Sequence, residues 1–176
     1  MIGFKNRPRT EWIIVHCTKT RPDQKDQWGQ PYGYRALREK HLLFDIGYHW
    51  LIERNGVAIQ CRPEHTPGNH CPGFNQSSVA ICLVGGLGEN GQPESNYTRD
   101  QWETLNQLVG ALYRKYPKAK VSSHFPLSTR PNEWCPAFDA RTWWNDRRYQ
   151  ERQRAKEQTQ SEERDPQPSP VSGPEH

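Results

Sequence analysis

The sequence predicts an α/β fold: a central mixed β-sheet flanked by helices, followed by a disordered, charged C-terminal tail. Three observations predict it. Short apolar runs rich in β-branched residues alternate with segments of helical spacing. One pair of such runs is separated by Asn55-Gly56, and the aromatic residues stop at Tyr149.

WIIVHC (12–17) is an apolar run with the pattern of a buried strand. Pro22, Gly29, Pro31 and Gly33 punctuate 18–33, which reads as a long loop. Residues 34–43 (YRALREKHLL) carry a weak helical stripe. YHWLIER (48–54), Asn55-Gly56 and VAIQC (57–61) predict a hairpin closed by a type I′ turn. A second loop fills 62–76, and SVAICLVG (78–85) is another buried strand. Thr98 and Gln101 form a capping box. After it, Trp102, Leu105, Val109, Leu112, Tyr113 and Tyr116 keep three-and-four spacing until Pro117 ends the helix. KVSS (120–123) is a short strand leading to His124. Asp139 is placed to cap a last helix through Trp143 and Trp144, whose charged continuation frays into the tail.

The length, 176 residues, suits one domain. Hydrophobic residues make up 32% and the mean hydropathy is −1.07, low for a packed domain. Residues 151–176 account for much of this, with no aromatic and only Ala155 and Val171 as aliphatics. Such a stretch buries too little apolar surface to offset its ordering entropy. Charges cancel across 147–176, so the folded part carries the net +4, too little and too dispersed for a nucleic-acid footprint. No run of 18 apolar residues exists, so no membrane span is expected. The N-terminus MIGFKNRPRT lacks the apolar stretch of a signal peptide, which predicts a cytosolic chain. Five cysteines without CxxC spacing are then free thiols or metal ligands.

Gly86-Leu87-Gly88-Glu89-Asn90-Gly91 fits GxGxxG, yet QPESNY follows where a dinucleotide fingerprint must open a helix. It reads as a glycine-rich turn. The candidates for chemistry are His16 and His124, each at the end of a predicted strand, and Cys135 in WCPAFD. Two imidazoles and a thiolate give Zn²⁺ three ligands and leave a fourth position open. Spacing alone leaves the alternative that these are ordinary packed core residues.

VHC at 15–17, DIGYHWLI at 45–52, GNHCPGFNQSSVAICLVGG at 68–86, and His124 followed by CPAFD form an ordered set of motifs. The set resembles the zinc-dependent N-acetylmuramoyl-L-alanine amidases of the phage-lysozyme type, whose fold is shared with peptidoglycan-recognition proteins. The resemblance covers nearly all of a domain expected over 10–147, with a helical extension and tail over 148–176. It implies hydrolysis of the amide between N-acetylmuramic acid and L-alanine in peptidoglycan. It further implies one Zn²⁺ per chain on His16, His124 and Cys135, and Tyr48 of the GYH motif as the catalytic tyrosine. The family usually carries a lysine two residues before the cysteine ligand; here that position is Glu133, a general base on this reading, with Arg130 the nearest cation in sequence.

His70, in a loop that borders the family's substrate groove, is expected to touch glycan or stem peptide. His49 points away from Tyr48 and is expected to be packed or to support a ligand, with His41 and His65 at the surface. Cys17 and Cys82 read as small buried hydrophobes. The resemblance implies a phage or prophage endolysin, monomeric, held in the host cytoplasm until a separate pore releases it to the wall. The alternatives are a non-catalytic peptidoglycan-recognition module, in which the cysteine ligand is commonly lost, or a regulator that binds another phage protein. Cys135 is present, which favours the enzyme.

Overall fold

A computed structural model describes residues 6–41, 45–130 and 133–164, with side chains to residue 159. The elements come in the expected order: β1 (Trp12–Cys17), α1 (Tyr34–Lys40), β2 (Trp50–Ile52), β3 (Ala58–Gln60), β4 (Ser78–Leu83), α2 (Arg99–Lys115), β5 (Lys120–Ser123) and α3 (Ala140–Arg164). A 3₁₀ turn at Phe125–Leu127 follows β5. The strands form one mixed sheet in the order β3-β2-β4-β1-β5. β1 runs parallel to both β4 and β5, β2 runs parallel to β4, and β3 closes the edge antiparallel to β2.

The two central strands are apolar apart from His16 in β1 and Ser78 in β4, because both their faces are covered. Ile13, Ile14, Val15, Val79, Ala80, Ile81, Cys82 and Leu83 are all fully buried. α2 packs Leu105, Val109 and Leu112 inward, as its stripe predicts. The capping box is formed: Gln101 N–H donates to Thr98 Oγ1 at 3.1 Å, and Thr98 N–H donates to Gln101 Oε1 at 3.1 Å. Gln101 is itself buried, and its Nε2 donates to Ile52 O (3.2 Å) and Val84 O (2.9 Å), pinning the helix start to the ends of β2 and β4.

Several boundaries differ from the expectation. The hairpin strands are short, and the connection is not a type I′ turn. That turn needs positive φ at both central residues, whereas Asn55 is not among the positive-φ residues and Gly56 has φ 82°. Gly56 N–H donates to Glu53 O (2.9 Å) and Glu53 N–H to Val57 O (2.9 Å), which makes a turn over 53–56 with glycine at its left-handed last position. β4 stops at Leu83 rather than residue 85. Just beyond, Gly86 has φ 96°, and a Cβ there would lie 2.6 Å from Cys17 Sγ. The GxGxxG stretch is a turn closed by Gly91 N–H to Gly88 O at 2.9 Å, with no helix until Arg99.

α1 ends at Lys40, and the rest of its expected span, 42–44, lies outside the described residues. The chain divides into two compact units, Met1–Arg141 and Thr142–His176. In the second, the charged continuation expected to fray from residue 151 is helical to Arg164. Its Glu, Arg, Gln, Ala and Lys residues are strong helix formers, which favours a helix over a coil in this segment. The remainder of the expected disordered tail, 165–176, lies outside the described residues.

Candidate active site

The parallel pairing of β1 with β5 aligns Val15 with Ser123. The next residue on each strand, His16 and His124, therefore leaves the sheet side by side. His124 N–H donates to Val15 O at 3.1 Å, and the two imidazole centroids are 4.5 Å apart. Cys135 returns from the loop after β5. Its carbonyl accepts from Phe125 N–H at 3.0 Å, and its Sγ accepts from Cys17 N–H at 3.0 Å. One ligand atom from each of His16, His124 and Cys135 then lies within 4.8 Å of the others, and all three residues are buried.

The electrostatics suit a divalent cation. Burial, then the neighbouring His70, His124 and Lys19, hold the His16 imidazole well below the usual histidine range. Burial also lowers His124, against an opposing pull from Glu133. Both rings are thus neutral, the form in which imidazole binds a metal. Burial pushes the Cys135 thiol well up, a direction that a bound cation reverses by deprotonating it. Two neutral imidazoles and one thiol with an N–H aimed at its sulfur are the donor set of a zinc site with an open position.

A chain of hydrogen bonds fixes which nitrogen of His16 is free. Ser78 Oγ lies 2.7 Å from Phe74 O, which only accepts, so the hydroxyl proton goes there. Ser78 Oγ, 3.2 Å from His70 Nε2, must then accept from it. Burial lowers His70 to about 3, so the ring is neutral and its Nδ1 carries a lone pair. That nitrogen accepts from His16 Nε2, 2.9 Å away, and leaves His16 with its lone pair on Nδ1. Both nitrogens of His70 are engaged inside the protein, one with His16 and one with Ser78. Ser78 was not legible as part of the site, since a serine opening an apolar strand carries no signal of its own.

Tyr48 sits just before β2 with its ring 5.2 Å from that of His16. Burial, then the neighbouring cysteines, push its phenol well above the usual range, so it keeps its proton and can donate. His49 is fully buried and packed: its Nδ1 accepts from Ala80 N–H (3.0 Å) and its Nε2 donates to Thr66 O (2.9 Å). His65 is exposed. Cys17 and Cys82 are buried as expected.

Glu133 is drawn into the site. Its side chain is 3% exposed, and its Oε1 accepts from Lys19 Nζ at 2.7 Å and from the backbone N–H groups of Trp134 (3.0 Å) and Cys135 (3.1 Å). Its Oε2 lies 3.8 Å from His124 Nδ1. Burial opposes ionisation, but these donors outweigh it and hold the carboxyl below the usual range. The cation beside it is Lys19, while Arg130 is exposed. Lys19 lies three residues after His16 in VHCTKT, and its opposite charge to Glu133 was the one sequence clue to it.

A mixed sheet that gathers two imidazoles, a thiol and a half-buried phenol near its strand ends is an arrangement suited to an amide hydrolase. The model for the family described as N-acetylmuramoyl-L-alanine amidase matches residues 6–138, and the chain belongs to that family. It is 35% identical over 146 residues to the endolysin of Escherichia phage T7, covering 81% of this chain and 91% of that protein. Among solved structures it is similar to the Ph2119 endolysin of a Thermus scotoductus MAT2119 bacteriophage (TM-score 0.59, 26% identity, 77% of this chain and 84% of that one). It also shares its fold with bumblebee PGRP-SA (TM-score 0.60, 18% identity, 80% and 84% covered).

Proposed function

We propose that this amidase is zinc-dependent, that it cuts the N-acetylmuramoyl–L-alanine bond of peptidoglycan, and that it serves as a phage or prophage endolysin held in the host cytoplasm until release. The observation that carries the zinc reading is the convergence of His16, His124 and Cys135 within 4.8 Å. Bound there, Zn²⁺ would polarise the amide carbonyl and acidify water at the open position.

The chain's own residues do the rest. His16 and His124 offer neutral imidazoles, and the N–H of Cys17 steadies the Cys135 sulfur. His70 and Ser78 hold the His16 proton on Nε2, which keeps Nδ1 free. Tyr48 orients a donor hydroxyl beside the ligands, suited to hydrogen-bonding an oxygen of the reacting amide. Glu133 stands beside His124 as the carboxylate of the site. One chain supplies the whole set, so a monomer suffices. The complete trio favours an enzyme over a recognition module.

Elemental analysis of the purified protein is expected to find about one zinc per chain, from the three-ligand open-site arrangement. His16→Ala, His124→Ala and Cys135→Ala should each lose the metal and the release of dye from labelled peptidoglycan. Full zinc content and full activity in any one of the three would overturn that ligand's assignment.

A further inference from the structure

Just after β1 the backbone does something a lysine rarely does. Lys19 has φ 57°, in the left-handed region that disfavours a side chain. Its neighbours are tied down on either side: Thr18 N–H donates to Leu83 O at 2.9 Å and Thr20 N–H to Gly85 O at 3.1 Å. Gly85 N–H returns a bond to Thr18 Oγ1 at 3.0 Å. Pairing continues around Lys19, and the residue itself is turned out of the strand's alternation. Such a conformation persists where the direction of a side chain matters more than local stability.

That direction is toward Glu133, which stands beside the ligand candidates His124 and Cys135. The Lys19 ammonium is 2.7 Å from Glu133 Oε1 and 4.9 Å from the centre of the Trp134 ring. The pair is lopsided: the lysine side chain is 40% exposed and the glutamate 3%. The carboxylate is fixed from behind by two backbone N–H groups, and its other oxygen faces His124 at 3.8 Å. One buried carboxylate therefore joins an accessible cation to a metal-ligand candidate.

We propose that Lys19 is a catalytic residue of this site, donating a hydrogen bond to the substrate carbonyl oxygen as negative charge builds on it, and that Glu133 is the positioning residue that aims it. The proposal rests on the metal-dependent amidase reading. In the hydrolysis, the oxygen of water bonds to the carbonyl carbon, the carbonyl π electrons move to oxygen and return, the C–N bond breaks, and the amine leaves with a proton from water. Lys19 keeps its own proton throughout. An ammonium has three N–H donors; one is on Glu133, which leaves two for a substrate oxygen. A charge-assisted donor is about twice as strong as a neutral one, and matters most where the charge develops. Glu133, with Oε1 accepting three times, is an anchor rather than a proton acceptor.

The test uses the full-length zinc-loaded protein and the variants Lys19→Met, Lys19→Arg and Glu133→Gln. The readouts are kcat and KM on a soluble muramoyl peptide, zinc content, melting temperature, and the ¹⁵N signal of the Lys19 ammonium in metal-free protein. Lys19→Met should lower kcat by about 10²–10³-fold, the cost of one oxyanion donor, with KM within about threefold of wild type and zinc content unchanged; melting falls only as far as loss of the Glu133 ion pair requires. Lys19→Arg should recover at least tenfold of that loss. Glu133→Gln should give a kcat between wild type and Lys19→Met, and should shift the ammonium signal.

Lys19→Met keeping more than a third of the wild-type kcat would overturn the proposal. So would loss of zinc, since Lys19 would then be only a clasp on the Cys135 loop. An arginine variant as slow as the methionine one also overturns it. A Glu133→Gln variant at the wild-type kcat, or slower than Lys19→Met, removes the positioning role. Failure of the amidase reading itself looks different: wild-type protein would be indifferent to a chelator, or would not cleave at all.

Discussion

Replacing Ser78 by alanine should weaken zinc binding although Ser78 touches no ligand. The fully buried hydroxyl accepts from His70 Nε2 at 3.2 Å and donates to Phe74 O at 2.7 Å. Phe74 O keeps a partner in the variant, because Ser77 N–H also donates to it at 3.0 Å. The loss therefore falls on His70. Its Nε2–H is left without an acceptor, or the ring changes tautomer and turns an N–H toward His16 Nε2. Either outcome removes one neutral hydrogen bond from the form that keeps His16 Nδ1 free, about 1 kcal/mol, or roughly fivefold in zinc dissociation constant. His70→Ala goes further and strips the acceptor from His16 itself. A buried donor left unpaired costs about 1–3 kcal/mol, which matches the roughly 10–100-fold loss typical when the partner of a ligating histidine is removed. His70→Asn, whose amide oxygen reaches close to the position of Nδ1, should resemble Ser78→Ala. Competition against a colorimetric chelator reads the affinities, and melting curves of the metal-free proteins check that the fold is intact. Zinc bound within twofold of wild type in both Ser78→Ala and His70→Ala would refute the relay.

Two further outcomes are expected. His49 is buried and held at about 4, below the histidine value of 6.5, chiefly by burial. The unfolded chain thus takes up the proton first, so in metal-free protein His49 alone should remove about 3 kcal/mol of stability as pH falls from 6.5 toward 4, in addition to the losses from His16, His70 and His124. Urea titrations of wild type and His49→Gln across that range measure it; a stability flat with pH in wild type would contradict the assignment. Truncation after Gln150 should leave the melting temperature within about two degrees, because residues 151–159 are exposed apart from half-buried Gln153 and contribute no apolar burial. A drop of several degrees would mean that the helix beyond Gln150 stabilises the rest.

What was legible in the sequence follows from how local each signal is. β1 and β4 declared themselves because strands covered on both faces are near-continuous apolar runs. The α2 start was equally plain, since Thr98 and Gln101 satisfy one another within a single turn. His16, His124 and Cys135 were legible only through the ordered motifs. What brings them together is the register of β1 against β5 and the bonds of the Cys135 loop, and no spacing along the chain encodes either. Lys19 was missed for the same reason: it is a polar residue after a strand until its left-handed backbone and Glu133, 114 residues away, give it a direction. The extent of α3 was missed for another. Low apolar content argues against a packed segment, but it does not distinguish a solvated helix from a coil.

The candidate ligands come from the first strand and from the loop after the last one, with a separation of 118 positions between Cys17 and the Cys135 sulfur that its N–H meets. A cation shared across that span closes one of the longest loops this chain can form, and long loops gain most from being closed. There is a temporal side to the same geometry. At synthesis rates of about 5–20 residues per second, roughly 6–24 seconds separate the emergence of the first histidine from that of the cysteine. During that interval the nascent chain holds two of the three ligands at most. A product cut short before Cys135 would therefore lack the candidate thiolate ligand however well its strands had paired.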